Sequence, residues 1–255
     1  MDDIINHLCQ PMITDPPRRI QRVRYDIQRR ELQVIRVEPR GDRFVAVTVQ
    51  GESLRSFASA SFDDHVKLML PDGAGGLWMR DYTPRSFDTD RGELVLEFAL
   101  HGEGPFTEWA AQAQVGQTLT VAGPRGSMVI PTDYDWHLLV GDDSAWPAIA
   151  RRLEELPAGA RVDVLLLMPD VPALPAGVTA TPRSFATPEA LAQALRDLPL
   201  PAGEGFAWCA GEAQLMAQLR GILLHEKHHP KTAMKVAAYW KQGAVGFHAR
   251  LDDDA

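Results

Sequence analysis

Residues 136–156 read WHLLVGDDSAWPAIARRLEEL, a short apolar run that ends in glycine and aspartate and leads into a helix expected from Ser144 to Leu156. The unit then repeats. VDVLLLM (162–168) is followed by a helix opened by Thr187-Pro188, and FAWCAG (206–211) by a long helix from Glu212. Pro188 suits a first helical position, where its missing N–H costs no bond, and Thr187 suits the cap before it. Leu215, Met216, Leu219, Ile222 and Leu223 form one apolar stripe at helical spacing, so the last helix should pack on a sheet. Strands alternating with helices imply a parallel sheet covered by helices.

Toward the N-terminus the rhythm is different. ELQVIRVE (31–38), FVAVTV (44–49), HVKLML (65–70), ELVLEFAL (93–100), QTLTVAG (117–123) and GSMVI (126–130) are short β-like runs separated by turn residues, as at PDGAGG. They read as an antiparallel barrel or sandwich, interrupted by one helical stretch from Thr107 to Gln114. At 255 residues the chain has room for two domains, expected at 18–133 (β-barrel) and 134–247 (α/β). A barrel followed by a nucleotide-type α/β domain suggests a flavin unit followed by a pyridine-nucleotide unit, although fold alone does not assign chemistry.

Composition narrows the function classes. Apolar residues at 45% and charged residues at 24% are globular values. The central apolar run Val164–Met168 is far below the ~20 residues that span a bilayer, so no membrane insertion is expected. The opening MDDIINHLCQP is acidic and lacks a long apolar region, so a secretory signal is not expected and the cytoplasm is the expected compartment. Two cysteines, Cys9 and Cys209, argue against a disulfide framework, and Cys209 reads as a small buried residue. A net charge of −8 disfavours nucleic acid. Six arginines between Arg18 and Arg30, and the lysines between Lys227 and Lys241, read as solvated faces that could also meet an anion.

Chemistry concentrates in three places. In Met79-Arg80-Asp81-Tyr82-Thr83-Pro84-Arg85, an extended backbone would put Arg80 and Tyr82 on one face, a cation for a diphosphate beside an aromatic ring for an isoalloxazine, with Thr83 able to bond a heteroatom. Such pairs also occur in ordinary barrels. In Phe98-Ala99-Leu100-His101-Gly102-Glu103-Gly104-Pro105-Phe106-Thr107-Glu108-Trp109-Ala110, two glycines admit a phosphate and Thr107 could cap a helix, although a plain loop-to-helix turn would look alike. Gly141 to Pro147 closes a strand and opens a helix, where parallel sheets bind ligands, which makes Gly141, Asp142, Asp143 and Ser144 candidates for a nicotinamide nucleotide. Gly211 and Glu212 end a second strand on the same edge. His225-Glu226-Lys227-His228-His229 matches H-E-x-x-H, but it stands at a helix end before Pro230, where the i, i+4 geometry frays, so no metal site is expected.

Taken together, R-D-Y-T-P-R, L-H-G-E-G-P-F-T-E-W-A and V-A-G-P-R-G-S resemble the flavin half of the siderophore-interacting, or ferric-siderophore reductase, family. The likeness continues through G-D-D-S-A-W-P-A-I (141–149), A-G-E (210–212) and A-Y-W-K (238–241), and covers roughly residues 18–243. The resemblance implies a ferredoxin-reductase-like fold. It implies FAD at Arg80, Tyr82, Thr83, His101, Gly102, Gly104 and Thr107, the last in place of the usual serine. Arg85 could serve the flavin or a surface pair, and Asp64 and His65 could border it. The donor implied is NADPH, or NADH, with Arg183 or Arg220 available for a 2′-phosphate, and Trp146 replaces the family's leucine near the nicotinamide. The implied reaction is reduction of a ferric siderophore or other iron(III) chelate by a monomer, without a protein acid or base. Lys241, beside Tyr239-Trp240, is a candidate to receive an anionic chelate, with Lys67 and Lys235 as alternatives. A flavin or ferredoxin-type reductase with another acceptor, and a siderophore-binding protein without turnover, are the rival readings.

Overall fold

The computed structural model describes residues 19–100, 104–244 and 249–250. Its first half is built from β1 (Gln21–Arg24), β2 (Arg29–Arg40), β3 (Phe44–Gln50), β4 (Val66–Pro71), β5 (Leu77–Tyr82), β6 (Pro84–Asp88), β7 (Glu93–Ala99), the short helix α1 (Pro105–Ala111), β8 (Thr118–Ala122) and β9 (Gly126–Val129). Seven strands form an antiparallel sheet in the order β5-β4-β8-β2-β3-β7-β6, while β1 pairs with β9 separately. The two outermost strands, β5 and β6, are consecutive in the chain with Thr83 alone between them. Opposite edges joined by one residue must lie together, so the sheet curls into a barrel. Its interior is filled by alternating residues such as Leu32 and Val34 of β2, Val66 and Leu68 of β4, and Leu94, Leu96 and Phe98 of β7, all at 1% exposure or less.

The second half follows the strand-helix alternation of the sequence: β10 (Trp136–Asp142), α2 (Trp146–Glu155), β11 (Val162–Leu167), β12 (Arg183–Phe185), α3 (Pro188–Asp197), β13 (Gly205–Glu212), α4 (Ala213–Gly221), β14 (Met234–Trp240) and β15 (Ala249–Arg250). The sheet order is β12-β11-β10-β13-β14-β15, parallel except for β15. Thr187 caps α3 by accepting from the Ala190 amide at 3.2 Å. The α4 stripe Leu215, Met216 and Leu219 packs with Leu138, Val140 and Ala207 on one face of the sheet. Each such side chain taken fully out of water contributes roughly 1.5–3 kcal/mol.

The other face is where the halves join. One core cluster holds Phe44 and Phe62 from the barrel together with Trp146, Ile149 and Trp208, and the rings of Phe62 and Trp208 meet edge to face at 5.3 Å. Helix α2 is buried continuously from Trp146 to Leu153, because the sheet covers one side and the barrel the other. Its two buried arginines therefore need partners inside the protein. Arg151 donates to Ser59 Oγ (2.8 Å), Ser59 O (2.9 Å), Pro84 O (2.9 Å) and Glu155 (3.0 Å). Arg152 donates to Ile130 O (3.0 Å) and Pro131 O (2.5 Å). Arg85 adds a two-pronged pair with Glu154 at 2.6 and 2.8 Å, so it serves the junction.

Candidate functional site

The barrel's contribution starts from the register of β5 on β4. Tyr82 lies opposite Val66, Arg80 opposite Leu68 and Trp78 opposite Leu70. Those three partners point into the barrel core, so Trp78, Arg80 and Tyr82 share the face turned toward it. The Tyr82 ring packs on Phe98 at 4.6 Å and on Phe106 of α1 at 5.7 Å. Burial pushes the Tyr82 hydroxyl up to about 12, with Arg80 opposing, so it stays protonated at neutral pH. Arg80 is exposed, and Thr83 is buried at the barrel corner. Gly104 (φ +148°) occupies the cap of α1 and Pro105 its first turn. Thr107 therefore lies inside the helix and is not its cap, because proline is already suited to the position that starts it. His101 and Gly102 lie outside the described residues.

The nucleotide-type contribution lies at the carboxyl ends of β10 and β13. From β10 the chain crosses through α2 to β11 on one side, while β13 lies on the other, so the topology reverses between these strands. Ligands of open α/β sheets settle at such a switch point. It brings together Gly141, Asp142, Asp143, Ser144, Gly211 and Glu212, the residues singled out from the sequence. Their side chains, however, are turned inward. Asp142 accepts from the Ser144 amide (2.9 Å), Ser144 Oγ (2.5 Å), the Glu212 amide (3.0 Å) and Trp240 Nε1 (2.8 Å). Burial pushes its carboxyl up while the Ser144 and Trp240 donors pull it down, and a pocket made of donors suits the ionised form. Gly211 has φ +151°, and a Cβ there would stand 2.5 Å from Asp142 Oδ2. At Gly141 a Cβ would stand 2.4 Å from that of Ala145, so both glycines let the turns close. Asp143 is clamped by Arg43 of the barrel at 2.7 to 3.0 Å. Glu212 caps α4 through the Gln214 and Leu215 amides at 2.6 and 3.1 Å.

Between these two surfaces lies a cluster that no local pattern in the sequence indicates. Asp63, in the barrel loop before β4 and 6% exposed, accepts from Trp208 Nε1 at 2.9 Å and pairs with Lys235. Tyr239 faces the same carboxylate, and burial, then Asp63 and Asp142, hold its hydroxyl well above the ordinary tyrosine range. Lys235, Ala237 and Tyr239 alternate on one side of β14, which is the only regularity that sequence could have supplied. The neighbouring Asp64 accepts from Ser59 Oγ, Ser127 Oγ and the Ser61 amide, so it fixes its own loop, and His65 beside it is exposed.

The cations differ in their commitments. Lys67 pairs with Asp81 at 2.6 Å and Lys235 with Asp63. Lys241 follows β14 directly at the carboxyl edge, is exposed, and has no carboxylate partner within 4.0 Å among the described residues. Arg183 begins β12 opposite Leu165, near the carboxyl end of β11, whereas Arg220 lies in the last turn of α4, toward the opposite edge. Trp146, at 2% exposure, is packed into the junction. His225 is exposed, while His229 is buried against the Trp136 ring and bonded to Ala233 O at 2.9 Å. Cys209 is fully buried, and burial pushes its thiol up to about 12, as suits a packing residue.

Known proteins bear on the same regions. A family model described as siderophore-interacting protein matches residues 134–243, and one described as siderophore-interacting FAD-binding domain matches residues 72–128. The NADPH-dependent ferric-chelate reductase of Escherichia coli is 35% identical over 259 residues, covering 89% of this chain and 99% of its own length. Ferric vibriobactin reductase of Vibrio cholerae is 31% identical over 251 residues, covering 84% and 90%. The crystal structure of a siderophore utilization protein from T. fusca superposes with a TM-score of 0.80 at 30% identity, covering 92% of this chain and 100% of that one.

Proposed function

Because the chain belongs to the siderophore-interacting protein family, we propose that it is an NADPH-dependent, FAD-containing reductase that converts iron(III) chelates of the siderophore class to iron(II). The observation that carries this reading is the junction itself: a same-face cation and aromatic on β5 and a sheet switch point belong to halves locked together by α2. The residues fit a flavin in kind. β5 is an edge strand whose Trp78, on the same face as Arg80 and Tyr82, is 41% exposed, apolar surface of the sort that a bound cofactor covers.

On this reading Arg80 faces the diphosphate, and the Tyr82 ring and Thr83 hydroxyl orient the isoalloxazine. Gly104 and Thr107, with His101 and Gly102, serve the diphosphate and ribose. Bound FAD supplies the conversion between a two-electron donor and a one-electron acceptor. The backbone turns at Gly141–Ser144 and Gly211–Glu212 receive the nicotinamide nucleotide. Asp142, Asp143 and Glu212 shape those turns through their internal bonds, and Arg183 is the better placed cation for a 2′-phosphate. Lys241 receives the anionic iron chelate, which is the substrate. Hard oxygen ligands hold iron(II) less tightly than iron(III), so reduction loosens the complex. We take a single chain in the cytoplasm as the working unit, and no described helix is long and apolar enough to cross a membrane.

The test is the visible spectrum of the purified chain supplied with FAD. A flavin absorbance that bleaches with NADPH without air, and returns when a ferric chelate is added, is the expected result. Failure to retain flavin, or bleaching that iron(III) does not reverse, would remove the proposal.

A further inference from the structure

Strand β14 turns Lys235 and Tyr239 toward the barrel, and Trp208 of β13 stands beside Lys235 in the parallel register. All three side chains meet one carboxylate, and the other half of the molecule supplies it. Asp63 is buried, accepts from Trp208 Nε1 at 2.9 Å, pairs with Lys235 and faces Tyr239. A carboxylate taken out of water needs donors and a counter-charge, and here the sheet provides both. The loop that carries Asp63 is stiff. Asp64 ties it to Ser59, Ser61 and Ser127, and Arg151 of α2 holds Ser59. A short step further along the chain, Lys67 pairs with Asp81, which lies between Arg80 and Tyr82 on β5. At the opposite end of the cluster Trp240, next to Tyr239, donates to Asp142 at 2.8 Å, and Asp142 fixes the turns at Ser144 and Glu212. Asp63 therefore stands midway between the strand assigned to the flavin and the turns assigned to the nucleotide. The Arg85–Glu154 pair and the Arg151 bonds also cross the junction, but they join the barrel to α2 and not to β14.

We infer that Asp63, through its pair with Lys235, is a positioning residue for hydride transfer: it sets the reach between the nucleotide turns and β5 and takes no part in passing electrons to iron. The inference rests on the reductase reading above and assigns a residue to one of its two steps. Hydride transfer is sensitive to placement, and a shift of about 1 Å caused far from the chemistry can cost on the order of a hundredfold. Asp63→Asn is the sharp probe, because its amide oxygen can still accept from Trp208 while its NH₂ replaces the oxygen that pairs with Lys235. In the full chain loaded with FAD, bleaching by saturating NADPH without air should slow about tenfold or more in Asp63→Asn and in Lys235→Met. The double variant should be no slower than either alone, since both remove one interaction, and Lys235→Arg should stay within about twofold of the parent. The FAD dissociation constant, and the rate at which a ferric chelate reoxidises protein reduced with dithionite, should stay within about twofold throughout. In the flavin-free chain, hydrogen exchange should quicken in Met234–Trp240 and in residues 59–64 of Asp63→Asn, which reports the tie without any turnover. An unchanged bleaching rate overturns the inference, as does equal slowing of both steps or slowing of the iron step alone, which would give Lys235 to the chelate. Should Asp63→Asn fail to fold, Lys235→Met and Lys235→Arg decide by the same comparison. A parent chain that NADPH does not bleach brings down the reductase reading itself.

Discussion

Asp142 is the place where a structural and a ligand-binding role can be separated by numbers. In Asp142→Ala three fixed donors lose their acceptor: the Ser144 amide, the Glu212 amide and Trp240 Nε1. An unpaired buried donor costs about 1–3 kcal/mol, and water entering the vacated space relieves part of the sum, so a loss of roughly 3–5 kcal/mol is expected. In Asp142→Asn the amide oxygen can accept from Glu212 and Trp240 while its NH₂ donates to Ser144 Oγ. Only the Ser144 amide is then orphaned, and the expected loss is about 1–2 kcal/mol. Urea unfolding followed by tryptophan emission measures both. Two results would refute the reasoning: an alanine variant within about 1 kcal/mol of the parent, or one as stable as the asparagine variant. An Asn variant with unchanged unfolding but a raised KM for NADPH would instead assign the carboxylate to the nucleotide.

Three further predictions follow from charges placed by the fold. Burial, helped by the nearby Arg152 cation, lowers His137 from 6.5 to about 4. Its stabilising contribution is thus complete above the unfolded value and is lost as pH falls from 6.5 toward 4, by at most ~3 kcal/mol, with His229 acting in the same sense. His137→Gln should flatten the dependence of the urea midpoint on pH over that interval, and an unaltered slope would count against it. Arg151→Met strands the acceptors at Ser59 and Pro84 and should cost about 2–4 kcal/mol; a midpoint equal to the parent's would show that α2 does not clamp the halves. Lys241→Ala should slow reduction of a trianionic ferric chelate and not of a neutral one, with the difference shrinking as salt rises; equal rates for both chelates at low and high ionic strength would exclude a steering role.

Much of the architecture could be read from rhythm, because period-2 and period-3.6 patterns are local. The runs at 31–38, 44–49, 65–70 and 93–100 all became barrel strands, and the expected helix at 144–156 became α2 at Trp146–Glu155, shortened where Asp142 binds Ser144. Strand β6 gave no such sign, since Pro84-Arg85-Ser86-Phe87-Asp88 looks like a turn, and proline is tolerated there because the strand is at an edge. The pairing of Arg80 with Tyr82 on one face was legible for the same reason as the strands. The inward commitment of Asp142 was not, because one of its partners, Trp240, is 98 residues away. Arg43, Arg85, Arg151, Arg152 and Asp63 carry no pattern of their own. Their roles exist only once the barrel and the sheet are in contact.

The position of β2 in the barrel, between β3 and β8, has a consequence for how the chain is made. β3 follows immediately and can pair as β2 leaves the ribosome, but β8 comes ~80 residues after Arg40, roughly 4–16 s later at typical rates of synthesis. During that interval one edge of β2 stands open to any other strand, including one from a neighbouring nascent chain. Its outward positions Arg29, Glu31 and Arg36 are charged and exposed, and charge along an open edge discourages foreign pairing. Those residues thus guard the unfinished barrel until its last partner arrives.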